Sequence, residues 1–225
     1  MGLVERTARA KAALGELLSS QSIHKLIGFG NCKRAAAHCM QCTDEVLAHV
    51  AMLKRYAPDL HEYYRVVLEK IHGQFPDLDH HFENSVFSGV TFNIGERVVT
   101  HRHRDHLNIP FGLCCVTAFG NFDPTKGGHL ILWDLKLIIE IPPGATYLIP
   151  SAMLAHSNID IAAGQSRMSI TQFFAGGLAR WVDCGGMSQK EYTRQGKQLP
   201  SAEHRWTNGI GLLRAWARKH MRTGA

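Results

Sequence analysis

Apolar positions recur with two different periods along this chain, and the change falls near residue 84. Before it the spacing is helical. Val4, Ala8 and the run Leu14 to Leu18 outline a short first helix. Val46, Val50 and Leu53 then recur at helical spacing, with Thr43 as the expected N-cap. Pro58 breaks that helix, and Leu60, Tyr63, Tyr64, Val67 and Ile71 line one face of the next. Such stripes predict a helical layer packed on a core.

From 85 to 177 the texture is β. SVFSGVTFNIG, ERVVTHRH, GLCCVTAFGNF, HLILWDL, LIIEIP, ATYLIP and RMSITQFFAGG are short runs rich in Val, Ile, Thr and Phe, separated by Gly, Pro, Asn and Asp. Strands at this even spacing predict a sandwich or jelly roll rather than a parallel sheet. Past 178 the chain turns polar and ends in GIGLLRAWARKHMRTGA. There Leu213, Trp216 and Ala217 form an apolar face, with Arg214, Arg218 and Arg222 at i, i+4 and i+8 on another. The expected organisation is one α+β domain over 1–225. Residues 1–83 form a helical support layer, 84–182 the jelly-roll core, and 183–225 a loop and a basic C-terminal helix.

At 225 residues and 45% hydrophobic, the chain is able to fill a sizeable core. Lysine plus arginine exceed aspartate plus glutamate, 25 against 19, for a net charge of +6. That suits a polyanionic partner without requiring one. No apolar run reaches membrane-spanning length, and MGLVERTARAKAAL reads as neither a signal peptide nor, with Arg6 in place of Ser or Thr, a myristoylation signal. The expectation is an intracellular protein with reduced thiols. Among the six cysteines, Cys39 and Cys42 have CxxC spacing, with Cys32 and His38 nearby. No second pair follows, so buried helical cysteines are favoured over a zinc site.

The stretch HRHRDHLN (101–108) holds the candidate chemistry. His103 and Asp105 stand at i and i+2, which brings an imidazole and a carboxylate to one side of an extended backbone. His156, after the run ATYLIP, is a natural third ligand. Two histidines and one carboxylate make the facial triad of a non-haem iron site, with open positions for a co-substrate and O₂. Arg167 follows His156 by eleven residues in the β-run RMSITQF, and its guanidinium can grip a carboxylate through two parallel hydrogen bonds. Ser169 faces the same way and adds a hydroxyl. A dicarboxylate that chelates iron at one end and is anchored at the other fits 2-oxoglutarate.

HRHRDHLN resembles the core motif of the TET/JBP family of Fe(II)/2-oxoglutarate DNA dioxygenases, and FSGVT (87–91) is similar to a segment that precedes that motif in animal members. GGHLILWDL, LIPSAMLAHSN and RMSITQFFAGG look like the fungal, transposon-associated branch. The likeness covers roughly 85–182. HxD…H…R is shared by the whole 2-oxoglutarate superfamily, while HxHRDxxN is more specific to this branch. The resemblance implies a double-stranded β-helix. It implies iron on His103, Asp105 and His156, and 2-oxoglutarate on Arg167, Ser169 and His129. It also implies a flipped base bonded by Asn108 and stacked on Phe173.

The implied reaction is oxidation of 5-methylcytosine in duplex DNA to 5-hydroxymethylcytosine and beyond, with O₂ consumed and ascorbate as reductant in vitro. The implied setting is nuclear, and the expected state is a monomer. Where animal members carry a second base-contacting histidine this chain has Ala175, which leaves N6-methyladenine as a second candidate base. The residues by themselves also admit a hydroxylase acting on a protein or small molecule, or a binding module without metal. Candidate phosphate contacts are Arg97, Arg102, Arg104, Lys126, Arg214, Arg218, Lys219 and Arg222, with Arg104 equally placed to anchor the motif from behind.

Overall fold

The computed structural model describes residues 40–78, 82 and 84–221, with the side chains of 40–44 and 214–221 outside that description. The expected helix at 4–18 and the thiols of Cys32, Cys39 and Cys42 therefore lie outside the described residues.

Helix α1 (Met40–Tyr56) and helix α2 (Pro58–Gln74) form the support layer. Pro58 sits in the first turn of α2, where its missing N–H costs nothing. Helix α1 already starts at Met40, so Thr43 lies inside it and not at its N-cap. The helical period extended a turn beyond the first apolar position that marked it. The buried face of α2, Leu60, Tyr64, Val67 and Ile71, packs with Leu53 of α1 onto Cys115, Ile109 and Phe174. Tyr64 anchors this contact. Its ring stacks on Phe174 with centroids 4.2 Å apart, and its hydroxyl accepts from Leu113 N at 3.1 Å.

Two antiparallel sheets carry the β-run. One has β1 (Gly89–Asn93), β2 (Cys114–Asn121), β5 (Thr146–Ile149) and β7 (Ser166–Phe173), in the order β1-β7-β2-β5. The other has β3 (Leu130–Leu132), β4 (Leu137–Ile139) and β6 (His156–Asn158), in the order β4-β3-β6. From β2 on, the chain passes back and forth between the sheets, which is the winding of a jelly roll. Alternation along the strands divides two cores. Cys115 and Leu148 face the helices, whereas Cys114, Val116, Ala118, Tyr147, Ile149 and Phe173 fill the interior with Leu130 and Leu132 of the opposite sheet.

One expected strand is not regular. ERVVTHRH makes only isolated bridges, Arg97 to Arg167 of β7 and His103 to His156 of β6. The segment passes from one sheet to the other, so no single ladder pairs its whole length. Its β-branched composition signalled extension and not continuous pairing.

Helix α3 (Gly176–Asp183), helix α4 (Gln189–Arg194) and helix α5 (Ala202–Met221) close the fold, and α5 packs on α2. Gly209 makes the approach of α5 possible, since a Cβ there would lie 2.1 Å from the Phe111 ring. The expected basic helix is thus present as α5. The side chains of Arg214, Arg218 and Lys219 are outside the description, as is Arg222 altogether. Among the described residues no helix is long and apolar enough to cross a membrane.

Candidate active site

The irregular segment and β6 bring three side chains together. One ligand atom from each of His103, Asp105 and His156 lies within 4.8 Å of the others, a group that could hold a metal ion. His103 Nε2 stands 3.4 Å from Asp105 Oδ1, and the two imidazole centroids are 4.2 Å apart. Each histidine Nδ1 meets the backbone carbonyl two residues earlier, His103 to His101 O at 2.8 Å and His156 to Leu154 O at 2.9 Å. A carbonyl only accepts, so Nδ1 carries the proton on both rings. In the neutral ring that leaves Nε2 as a lone pair, the form a metal needs. Burial lowers the His156 pKa, which favours the same neutral ring. His103 and Asp105 remain part-exposed, at 38% and 31%, so one side of the centre is open.

Three further contacts fix the loops that carry these side chains. Arg104 donates from Nε to Met153 O and from Nη2 to Asp134 Oδ1, both at 2.9 Å. Asp134 Oδ2 accepts from Ala155 N at 2.6 Å. The Ala155 N–H first, and Arg104 beside it, hold the Asp134 carboxyl below its ordinary range. Arg104 therefore ties the HxD segment to the loop before His156. Of the two roles weighed for it, anchoring from behind is the one its contacts occupy.

Arg167 is 3% exposed, on the interior side of β7. Nη1 donates to Val98 O at 3.2 Å, while Nε is buried without a hydrogen-bond partner among the described residues. No carboxylate among the described residues pairs with it. Burial lowers its pKa, but a guanidinium keeps its charge under any ordinary condition. A buried, unpaired cation is costly and calls for an anion. Ser169, two residues along the strand, accepts from Asn93 Nδ2 at 3.0 Å.

Tyr147 lies near Arg167, and sequence reasoning passed over it. Burial pushes its phenol up to about 12 against the pull of the guanidinium, so at neutral pH it is an intact hydroxyl. Its signal was strand alternation, since Tyr147 and Ile149 share a face. Asn93 was missed too, and nothing in the sequence links it to Ser169 before the register of β1 with β7 is known.

The remaining predicted residues divide. His129 is half-buried just ahead of β3, and its Nδ1 is buried without a partner among the described residues. Phe173 lies over Gly89, whose missing side chain makes room for the ring. Asn108 points its side-chain nitrogen at Asp105, Cys114 and Ser151. Arg97 pairs with Asp160, Lys126 with Asp123 at 3.0 Å, and the Arg102 guanidinium lies over the Trp133 ring at 4.9 Å. A cavity of about 640 Å³ between α3, α5 and the loop after Asn108 is lined by Tyr63, Phe111, Arg180, Tyr192, Arg205 and Trp206 among others; none of the predicted site residues lines it.

No protein-family model matches the chain, and no curated protein matches it. Solved structures are similar over part of it. NgTET1 in complex with 5mC DNA matches at 20% identity and TM-score 0.37, over 46% of this chain and 40% of that one. The viral collagen prolyl hydroxylase of Paramecium bursaria Chlorella virus-1, as its 2OG complex, matches at 13% and 0.29, over 48% and 70%. An RmlC-like cupin from Desulfovibrio desulfuricans matches at 11% and 0.23, over 43% and 95%. The matched region thus spans about two fifths of the NgTET1 chain and covers nearly half of this one.

Proposed function

We propose that this chain is an Fe(II)/2-oxoglutarate-dependent dioxygenase that oxidises a methylated DNA base, chiefly 5-methylcytosine. The observation that carries the reading is the pairing of two features in one sandwich. A His-Asp-His cluster has both imidazoles fixed in the metal-binding tautomer, and a buried arginine lacks a counter-charge among the described residues. The donor set suits iron(II). The orphaned Nε of Arg167 suits the distal carboxylate of a dicarboxylate.

His103, Asp105 and His156 would hold the metal on one side and leave the other open. Arg167, with the Ser169 and Tyr147 hydroxyls, would grip the far end of 2-oxoglutarate, and the unpaired His129 Nδ1 suits a further contact to it. When bound, iron with 2-oxoglutarate and O₂ supplies the oxidising power to hydroxylate an unactivated methyl group as 2-oxoglutarate becomes succinate and CO₂. The interior walls, Val116, Ala118 and Ile149, exclude water from the anchored end.

The DNA part of the reading rests on the motif HxHRDxxN and on the net charge of +6. A methyl group on a base stacked within a duplex cannot reach a metal held by these residues, so the nucleotide must be flipped out, at a cost of a few kcal/mol. Phe173 at the end of β7 is suited to stack on it. Arg97 and Lys126 are exposed; Lys126 is held by a surface ion pair and Arg97 by one together with a hydrogen bond to Ile161 O at 3.1 Å, and such surface ion pairs exchange readily for phosphates. N6-methyladenine is the second base to consider. Ala175 favours it, since a methyl side chain leaves room where a donor would otherwise select cytosine.

The test is succinate formation from 2-oxoglutarate with added iron, with and without duplexes carrying 5-methylcytosine or N6-methyladenine. The reading expects turnover that His103→Ala abolishes and that a methylated duplex stimulates. Turnover that no duplex stimulates would move the substrate to a protein or small molecule. No turnover would remove the oxygenase reading altogether.

A further inference from the structure

Asn108 closes a tight turn that begins at Asp105, its backbone N–H donating to Asp105 O at 2.9 Å. Its side-chain nitrogen then reaches Asp105 Oδ2 at 3.2 Å, Cys114 Sγ at 3.2 Å and Ser151 Oγ at 3.3 Å. A carboxylate only accepts, so the amide nitrogen and not the oxygen must face Asp105. The other carboxylate oxygen, Oδ1, is the one 3.4 Å from His103 Nε2. The two oxygens of Asp105 are thereby divided between the histidine cluster and Asn108.

The partners that hold Asn108 are themselves fixed. Cys114 and Ser151 are 3% and 2% exposed, and Cys114 Sγ lies 2.8 Å from Ser151 Oγ. Ser151 O accepts the Asp105 N–H at 3.0 Å. Burial pushes the Cys114 thiol up to about 12, so it stays neutral and adds no charge beside the carboxylate. Three separate pieces of chain, the turn, β2 and the loop after β5, thus converge behind one carboxylate.

We propose that Asn108 is a positioning residue for the metal centre. Through Nδ2 it holds Asp105 with a single oxygen turned to the histidines, and so sets the affinity of the site for a divalent metal before any substrate arrives. The proposal deepens the metal reading above and rests on it. It assigns Asn108 a task different from base contact, because metal affinity in the absence of DNA then depends on it. Any contact to a base falls to the amide oxygen, which has no hydrogen bond among the described residues.

The experiment is a titration of the metal-free protein with Co(II), read by its visible absorption, with neither 2-oxoglutarate nor DNA present. Wild type, Asn108→Ala and Ser151→Ala are compared after thermal unfolding of each metal-free protein has shown that it is folded. Loss of an outer hydrogen bond to a metal-binding carboxylate weakens binding about 10–100-fold, and Asn108→Ala is expected in that range. Ser151→Ala, which removes one of the groups holding the amide, shifts affinity the same way by less, and serves if Asn108→Ala fails to fold. Wild-type affinity in whichever folded variant is measured would overturn the proposal. A wild-type chain that bound no Co(II) would overturn the metal reading and the proposal with it.

Discussion

His103 and His156 exchange both backbone hydrogen bonds, His103 N to His156 O at 3.0 Å and His156 N to His103 O at 2.9 Å. That doubly bonded antiparallel pair sets the two imidazoles side by side before any metal is present. A preorganised site loses little order on binding. Replacing either histidine by alanine should therefore leave the fold intact and weaken Co(II) binding by more than the roughly 10–100-fold expected for a supporting residue. Titration of both variants checks this; near-wild-type affinity in either would remove that histidine from the ligand set.

Arg167 leads to an unusual pairing of effects. Among the described residues its buried charge has no carboxylate partner, so Arg167→Met should leave the ligand-free protein at least as stable as wild type. The same change should abolish stabilisation by 2-oxoglutarate, which for wild type at a hundred times Kd is about 2.7 kcal/mol. Urea unfolding with and without 2-oxoglutarate and a divalent metal measures both. A strongly destabilised ligand-free variant would mean that Arg167 is a structural residue.

Acid should destabilise the protein through His49. This residue is fully buried, with Nε2 2.6 Å from Thr117 Oγ1. Burial lowers its pKa from 6.5 to about 4, against a smaller upward pull from Gln172. Between those values the unfolded chain takes up a proton that the native state does not, so stability rises with pH there and falls on acidification. The full loss by pH 4 is about 3 kcal/mol from this group. Unfolding midpoints from pH 7 to 4 should show it, and His49→Gln should flatten that part of the profile. An equally steep profile in the variant would assign the acid sensitivity elsewhere.

Phe173 is open to a test from its neighbour. A Cβ at Gly89 would lie 2.7 Å from Phe173 Cζ, so Gly89→Ala must displace the ring. The cost in stability is on the order of 1–3 kcal/mol. If the ring stacks on a base, methylated-base oxidation should fall several-fold more than substrate-free succinate formation. Equal falls would make Phe173 a core residue only.

Much of the site was legible in the residues because it follows from short-range rules. His103 and Asp105 stand two apart on an extended backbone, and Arg167 and Ser169 two apart on a strand, so each pair shares a side whatever the rest of the chain does. Strand texture and the Tyr64 face of α2 were legible for the same reason. What escaped depends on contacts between distant segments. The break in ERVVTHRH arises because one end pairs with β7 and the other with β6. Asn93 and Tyr147 join the Arg167 neighbourhood only through register and packing. Asn108 was marked only by the resemblance of HRHRDHLN to the TET/JBP motif, and the direction of its amide is set by Cys114 and Ser151, from β2 and the loop after β5.

The most direct measurement is product analysis. The protein is incubated with iron(II), 2-oxoglutarate, ascorbate and O₂ and with duplexes bearing 5-methylcytosine or N6-methyladenine. The DNA is then digested to nucleosides and quantified by mass spectrometry. The account expects 5-hydroxymethylcytosine from the first duplex, formed with succinate and absent with His103→Ala. Succinate formed at the wild-type rate while both methylated bases stay unchanged would contradict DNA base oxidation.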